Sequence, residues 1–409
     1  LNHVIPPYWR ERKRPLLLNS WEGCFFDFDE EKILRLAQEG KKLGIELLVM
    51  DDGWFGHRND DTSSLGDWFV NENKLKGGLA QLVRKVREEG LQFGIWFEPE
   101  MISPDSDLYR AHPDWCVQIK GREKSLARHQ CVIDMTRQEV RDEIFRQMKA
   151  VLDSCPISYV KWDFNRNLTE PSSLMLPPDQ QGEFFHRFIL GTYELQQRLL
   201  DEYPQLLLEN CSGGGGRFDG GMLYYSPQIW CSDNTDPIER LSIQFGTSLF
   251  YPASSMGAHV SANRRTDYDT KAAVALWGTF GYELDPEKLT EEQKATIKDQ
   301  IAYYHKTYDT IHNGDLYRLT PPWKNGFTCA WNFTAKDQSS ALLTVIGIRR
   351  REFQTLVVRM RGLDANAIYY CEEIGRSYSG AFLMNAGLNL SDRDLNRDGA
   401  SLMLYFTKQ

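Results

Sequence analysis

Carboxylates and tryptophans recur together along this 409-residue chain, each time at the end of a short apolar run. Trp21-Glu22 ends the first run, Asp51-Asp52-Gly53-Trp54 the second and Trp96-Phe97-Glu98-Pro99-Glu100 the third. Asp134 ends a fourth, and Lys161-Trp162-Asp163-Phe164-Asn165-Arg166 closes a fifth. Asn210-Cys211-Ser212 with four glycines, and then Ser232-Asp233, follow the next two. A lone carboxylate after a strand is often a helix cap. A ring of them facing one mouth, accompanied by Trp, suits cleavage of a glycosidic bond. That reaction needs one carboxyl that donates a proton and one that attacks or directs water. Sugar hydroxyls need rigid polar partners, and the apolar face of the ring needs an aromatic wall.

Metal binding is the competing use of clustered acids. The eight histidines form neither an HxH nor an HExxH pattern, so no metal is expected, and no other cofactor. The four glycines after Ser212 carry no Walker Lys-Ser/Thr and do not read as a phosphate cradle. Asp394-Leu395-Asn396-Arg397-Asp398-Gly399 opens like a calcium loop, but its twelfth position is Tyr405 where a bidentate acid is required. A polar hairpin turn is the expectation there.

The elements that must position these residues are eight short runs, at 16–21, 47–51, 93–97, 131–134, 159–163, 206–210, 229–232 and 255–260. They are nearly continuous apolar stretches, as for parallel strands covered on both faces. Amphipathic segments lie between them, at 30–43, 79–89, 137–152, 183–203, 267–278 and 291–311. Thr136 reads as the N-cap of the third, with Glu139 at the capping-box position. The pattern predicts an α/β fold, a (β/α)8 barrel with its active site at the carboxyl ends of the strands. A doubly wound sheet is the rival, and no GxGxxG supports it. After Pro321-Pro322, short strand-like runs at 341–346, 356–360, 368–371 and 402–406 predict a small antiparallel, sandwich-like β-domain. The expected division is a linker over 1–14, the barrel over 15–318 and the β-domain over 319–409.

A net charge of −9 argues against nucleic acid or an anionic membrane surface as partner. No apolar stretch is long enough to span a bilayer. The eight cysteines form no CxxC pair or framework, which suggests free thiols, a reducing compartment and a cytoplasmic location. The chain starts on Leu1 rather than Met, as a piece of a longer polypeptide would.

Six motifs carry a resemblance. NSWEGCFFD at 19–27, MDDGWFG at 50–56, GIWFEPEM at 94–101, YVKWDFNR at 159–166, ENCSGGGGR at 209–217 and WCSDNTD at 230–236 resemble the α-galactosidases of glycoside hydrolase family 36. The match runs in order through nearly the whole barrel. The family's N-terminal β-sandwich domain has no counterpart in these residues.

The resemblance implies a retaining exo-α-galactosidase acting on melibiose- and raffinose-type oligosaccharides. It makes Asp163 the nucleophile and Asp233 the acid/base, a pair that a retaining enzyme holds about 5–5.5 Å apart. Lys161 and Asn165, two residues either side of Asp163, share its side of the strand. Lys161 would favour the ionised nucleophile and bind a hydroxyl. Asp51 and Asp52 match acids that hold the 4- and 6-hydroxyls and select galactose over glucose. Trp21 and Trp96 match pocket walls, and Arg128 matches a sugar-binding arginine. Cys211, Gly213 and Gly214 match the loop near the 2-hydroxyl. Arg217 reads as structural. Related outcomes are an α-N-acetylgalactosaminidase or a raffinose- or stachyose-synthase-like galactosyltransferase. A different class is a non-catalytic sugar-binding barrel. Homo-oligomerisation is a further expectation from the resemblance.

Overall fold

Short apolar runs become strands where helices can cover them, and that logic is visible in a computed structural model of the chain. It describes all residues except 1–3, 263–265, 350–354, 392, 394 and 396. The first ten strands are β1 Leu17–Asn19, β2 Leu47–Met50, β3 Gln92–Phe97, β4 Met101–Ile102, β5 Cys131–Val132, β6 Tyr159–Trp162, β7 Leu207–Asn210, β8 Gln228–Trp230, β9 Met256–Ser261 and β10 Thr279–Glu283. Eight of them form a closed parallel barrel in the order β1-β10-β9-β8-β7-β6-β3-β2. The chain divides into two compact units, 1–230 with 283–288, and 231–282 with 289–409.

In the first unit β1, β2, β3, β6, β7 and β8 pair in parallel, each with the next. β2, β6 and β7 are buried at every position; β2 is apolar throughout, while β6 and β7 also bury Lys161, Glu209 and Asn210. Gly94 gives β3 room for its neighbour: a Cβ there would stand 2.7 Å from the Tyr159 ring. The helix Glu30–Leu43 between β1 and β2 starts on an Asp29 side chain that accepts from the Lys32 amide, and it stops at Gly44, whose φ is +107°.

Two expectations are corrected here. The run at 131–134 is not a barrel strand: β5 pairs antiparallel with β4 in a separate two-stranded ladder. The eighth barrel member is instead β10, which the apolar pattern did not reveal. The helix Gln138–Ser154 also lacks the predicted capping box: its N-cap is Arg137, and the Thr136 hydroxyl donates to Asp134 at 2.6 Å.

In the second unit a six-stranded antiparallel sheet follows the barrel strands, in the order β11-β12-β13-β18-β15-β16. Its members are β11 Asp315–Thr320, β12 Thr328–Thr334, β13 Ser340–Gly347, β15 Ile368–Cys371, β16 Arg376–Ser379 and β18 Ala400–Lys408. A two-stranded ribbon, β14 Val357–Val358 with β17 Leu388–Asn389, accompanies it. Leu343, Val345, Tyr369, Leu383, Leu404 and Phe406 are among its buried core. The calcium-like stretch lies partly outside the described residues at 394 and 396, and Tyr405 is a β18 residue whose amide donates to Glu373.

Candidate active site

The barrel strands of the first unit end on a buried set of charges. Asp51 follows β2, and its Oδ2 accepts from Lys161 Nζ on β6 at 2.8 Å and from Asn19 Nδ2 on β1 at 2.7 Å. Its backbone amide is held by Ser20 Oγ at 3.0 Å. Burial works against the Lys161 charge, yet Asp51, with Cys211, Glu283 and Asp163 behind it, holds the ammonium well above its usual range. The ion pair that Lys161 makes is therefore with Asp51.

Asp52 points to a different cation. Arg58 grips it through two bonds, Nε to Oδ1 at 2.6 Å and Nη2 to Oδ2 at 2.8 Å. Burial pushes the Asp52 carboxyl above its usual value, and Arg58 opposes that shift. Both side chains are buried, and Arg58 is fixed further by the Ser63 carbonyl at 2.7 Å.

Asp163 follows β6 directly. Its Oδ2 accepts from Trp96 Nε1 at 3.2 Å and its Oδ1 from the Phe164 amide at 2.8 Å. Its own amide bonds to the Phe97 carbonyl, which extends the β3–β6 register by one step. The nearby Glu98 carboxyl accepts from the Asn165 amide at 2.5 Å and from Gln130 Nε2 at 3.0 Å, both on Oε1. Burial first, and then the Asp163 charge, push Glu98 up to about 8. Neighbouring acids driven apart in this way are how one site keeps one carboxyl ionised and another protonated.

Glu100 does a structural task. It takes two bonds from Arg217 at 2.9 and 2.8 Å, one from Trp162 Nε1 at 2.8 Å and one from Thr192 at 2.8 Å. The Arg217 guanidinium lies 4.3 Å from the Phe164 ring centre. Arg217 therefore braces the chain behind Asp163, in line with its structural reading.

Trp96 is buried and stacks on Phe55 at 6.0 Å, leaving its indole N–H for Asp163. Trp21 is partly exposed and starts a helical turn, Trp21–Cys24, rather than ending a strand. Phe25 and Phe26 meet its ring edge-on. Arg128 is exposed on a tight turn closed by an Ala127–Gln130 bridge, with φ of +51° there and +59° at His129. Cys211 is buried after β7, and its amide bonds to the Trp162 carbonyl at 2.7 Å. Gly213 and Gly214 both have positive φ, and a Cβ on Gly213 would meet nothing, so this loop leaves open space.

Asp233 lies in the second unit, three residues beyond β8, and is exposed. Its loop is fixed from within that unit. Arg240 is buried and donates to the carbonyls of Ser232 at 2.7 Å, Asn234 at 2.8 Å and Gly257 at 3.1 Å. Asp236 caps the helix Pro237–Thr247 through the Ile238 and Glu239 amides. A carboxyl on a loop pinned in this way can be held in place for proton transfer.

The site residues that sequence reasoning did not single out are Arg58, Glu98, Gln130 and Arg240. Glu98 was visible as a strand-end acid. Arg58 and Arg240 sit in a loop and a helix with no periodic or motif signal for their partners. Among the described residues no group of three or more His, Cys, Asp and Glu is arranged to hold a metal ion.

A barrel whose strands end on paired carboxylates, cations and indoles defines a carbohydrate-active class of site. The comparisons are specific. The melibiase family model matches residues 1–314, and the glycosyl hydrolase family 36 C-terminal domain model matches residues 328–406. The chain belongs to glycoside hydrolase family 36. It is 50% identical over 396 residues to the bifunctional alpha-galactosidase/sucrose kinase AgaSK of Mediterraneibacter gnavus, covering 95% of this chain and 41% of that protein. It is 50% identical over 392 residues to the alpha-galactosidase AgaA of Geobacillus stearothermophilus, covering 94% and 54% respectively. The crystal structure of an AgaA variant in complex with raffinose superposes with a TM-score of 0.96 at 46% identity, over 100% of this chain and 58% of that one. The chain spans about half the length of the curated relatives it matches.

Proposed function

We propose that this chain carries the catalytic machinery of a retaining exo-α-galactosidase that releases terminal α-galactose from melibiose- and raffinose-type oligosaccharides. The observation that carries the reading is the state of Asp163. It is a buried carboxylate that accepts from Trp96 and the Phe164 amide, while the nearby Lys161 and Arg58 are engaged by Asp51 and Asp52. Such a carboxylate can attack without first breaking a tight ion pair. Asp163 would bond to the anomeric carbon as Asp233 gives its proton to the departing oxygen. Asp233 would then take a proton from water, whose oxygen displaces Asp163 and yields galactose with its starting configuration.

The two acid–cation pairs, Asp51–Lys161 and Asp52–Arg58, are the proposed readers of the 4- and 6-hydroxyls. Buried polar groups left unpaired by the wrong epimer penalise it strongly. Trp21 and Trp96 serve as walls, Arg128 and Asn165 as hydroxyl ligands, and Cys211, Gly213 and Gly214 as the boundary near the 2-hydroxyl. The crystal structures of AgaA variants with raffinose and with stachyose support α-galactosyl oligosaccharides as the substrate class. A cytoplasmic location fits eight free cysteines. Assembly into a homo-oligomer fits the exposed Leu249, Phe250 and Trp323 of the second unit.

The test is hydrolysis of nitrophenyl α-galactoside beside the α-N-acetylgalactosaminide and the α-glucoside. The α-galactoside is expected to be the preferred substrate, and proton NMR should show α-galactose first. Asp163→Asn is expected to abolish turnover while melibiose binding stays measurable. Initial β-galactose, or retained turnover in the variant, overturns the double displacement.

A further inference from the structure

Several acids share the buried end of the first unit's strands, and cations answer some of them, as Arg217 answers Glu100. Asp51 has Lys161 and Asp52 has Arg58. Asp163 and Glu98 are left with neutral donors: an indole and an amide for one, an amide and a carboxamide for the other. Glu98 is 1% exposed, so each of its bonds matters. Those bonds reach two separate segments. The Asn165 amide belongs to the chain leaving Asp163. Gln130 belongs to the turn that carries Arg128. Arg166 joins the same two segments by donating to the carbonyls of Ser125 and Gln130, each at 2.7 Å.

We propose that Glu98 is a positioning residue, tying the segment of Asp163 and Asn165 to the 127–130 turn so that nucleophile and Arg128 keep one geometry. The inference rests on the galactosidase reading above. It names Glu98 as acting through Asn165 and Gln130 rather than on the sugar.

The charges facing Glu98 are Asp163 after β6, and Asp52 and Arg58 after β2. The acids outnumber the cation, and burial adds to their effect, so Glu98 holds a proton at neutral pH. A neutral carboxyl accepts both bonds without repelling the Asp163 carboxylate. Ionisation of Glu98 places a second uncompensated charge beside the nucleophile, which costs free energy and shifts the segment it holds. Formation of the glycosyl-enzyme removes the Asp163 charge and with it that repulsion.

A carboxyl whose folded value lies above its unfolded value binds its proton more tightly in the folded protein. Its stabilisation is complete below about 4.5 and is lost as pH rises toward about 8.

The test compares wild type, Glu98→Gln and Glu98→Ala by kcat against pH on nitrophenyl α-galactoside, and by Tm against pH without substrate. Glu98→Gln keeps an oxygen for both bonds and cannot ionise. It should turn over within a fewfold of wild type near pH 6, with the alkaline limb of its profile moved upward. Its Tm should gain on that of wild type as pH rises from 5 to 8. Glu98→Ala should lose kcat by about 10²-fold, the cost of a displaced nucleophile, with KM less affected. Profiles and Tm curves of Glu98→Gln that parallel wild type overturn the proposal, as does a Glu98→Ala enzyme with unchanged kcat. A wild-type protein that releases no galactose at any pH defeats the galactosidase reading instead, and the Tm comparison still tests Glu98.

Discussion

At the scale of single residues, the site works by giving neighbouring acids different partners. Asp51 and Asp52 are adjacent in sequence, yet one faces Lys161 and Asn19 and the other faces Arg58. Buried pairs of this kind stabilise little beyond their own desolvation, but breaking one is costly, because the remaining charge is stranded. Arg58→Met is therefore expected to destabilise the protein by about 3–5 kcal/mol at neutral pH. Asp52 is already pushed upward by burial, and losing its cation raises it further. A raised folded value makes stability greatest at low pH and smaller as pH rises through it. The deficit of Arg58→Met should accordingly shrink as the buffer is acidified, and Asp52→Asn in the same chain should recover part of it. Urea unfolding at several pH values measures this. A deficit independent of pH would mean that Arg58 contributes packing rather than charge.

At the scale of elements, the strand count and the position of the site were legible, and the strand partners were not. Residues 131–134 are apolar, buried and end on an acid, so they satisfy every local criterion for a barrel strand. Their partner is β4, only about 30 residues away and antiparallel, and apolar periodicity does not encode a partner. Residues 279–283 escaped notice because Gly281 interrupts the run and only three residues separate them from the helix Tyr268–Ala275. At the site, motif residues marked where carboxylates lie. The groups that hold them came from segments with no pattern, as Arg58 and Arg240 illustrate. Arg240 sits on the helix Pro237–Thr247 and ties down three carbonyls around Asp233. On the proposed acid/base role of Asp233, Arg240→Ala should lower kcat by about 10²-fold by misplacing that carboxyl. Substrates with a highly acidic leaving group need little proton donation, so an activated aryl galactoside should lose less than melibiose. An equal loss on both would assign Arg240 to folding alone.

At the scale of the whole molecule, the division into units cuts across the apparent boundary between barrel and β-domain. β9, most of β10 and the two helices Tyr268–Ala275 and Glu291–His312 group with the C-terminal sheet. Within that unit the Thr270 hydroxyl donates to the Gly399 carbonyl at 2.5 Å, and Thr310 meets Ser340 at 2.7 Å and Tyr405 at 3.2 Å. Trp277 stacks on Trp331 with 4.2 Å between ring centres. All eight helix residues from Tyr268 to Ala275 except Tyr268 and Asp269 are buried, so this helix has little solvent face of its own. Such a helix cannot be left bare: stripping the sheet would expose apolar surface at a cost of roughly 25 cal/mol for each Å². A chain ending at residue 318 is therefore expected to fail as a barrel. It should lack a cooperative melting transition and bind a hydrophobic dye, whereas the full 409 residues should unfold with one. A truncated chain that melts cooperatively would show that the barrel holds β9 and β10 without the sheet, and that the sheet serves the protein in some way other than folding.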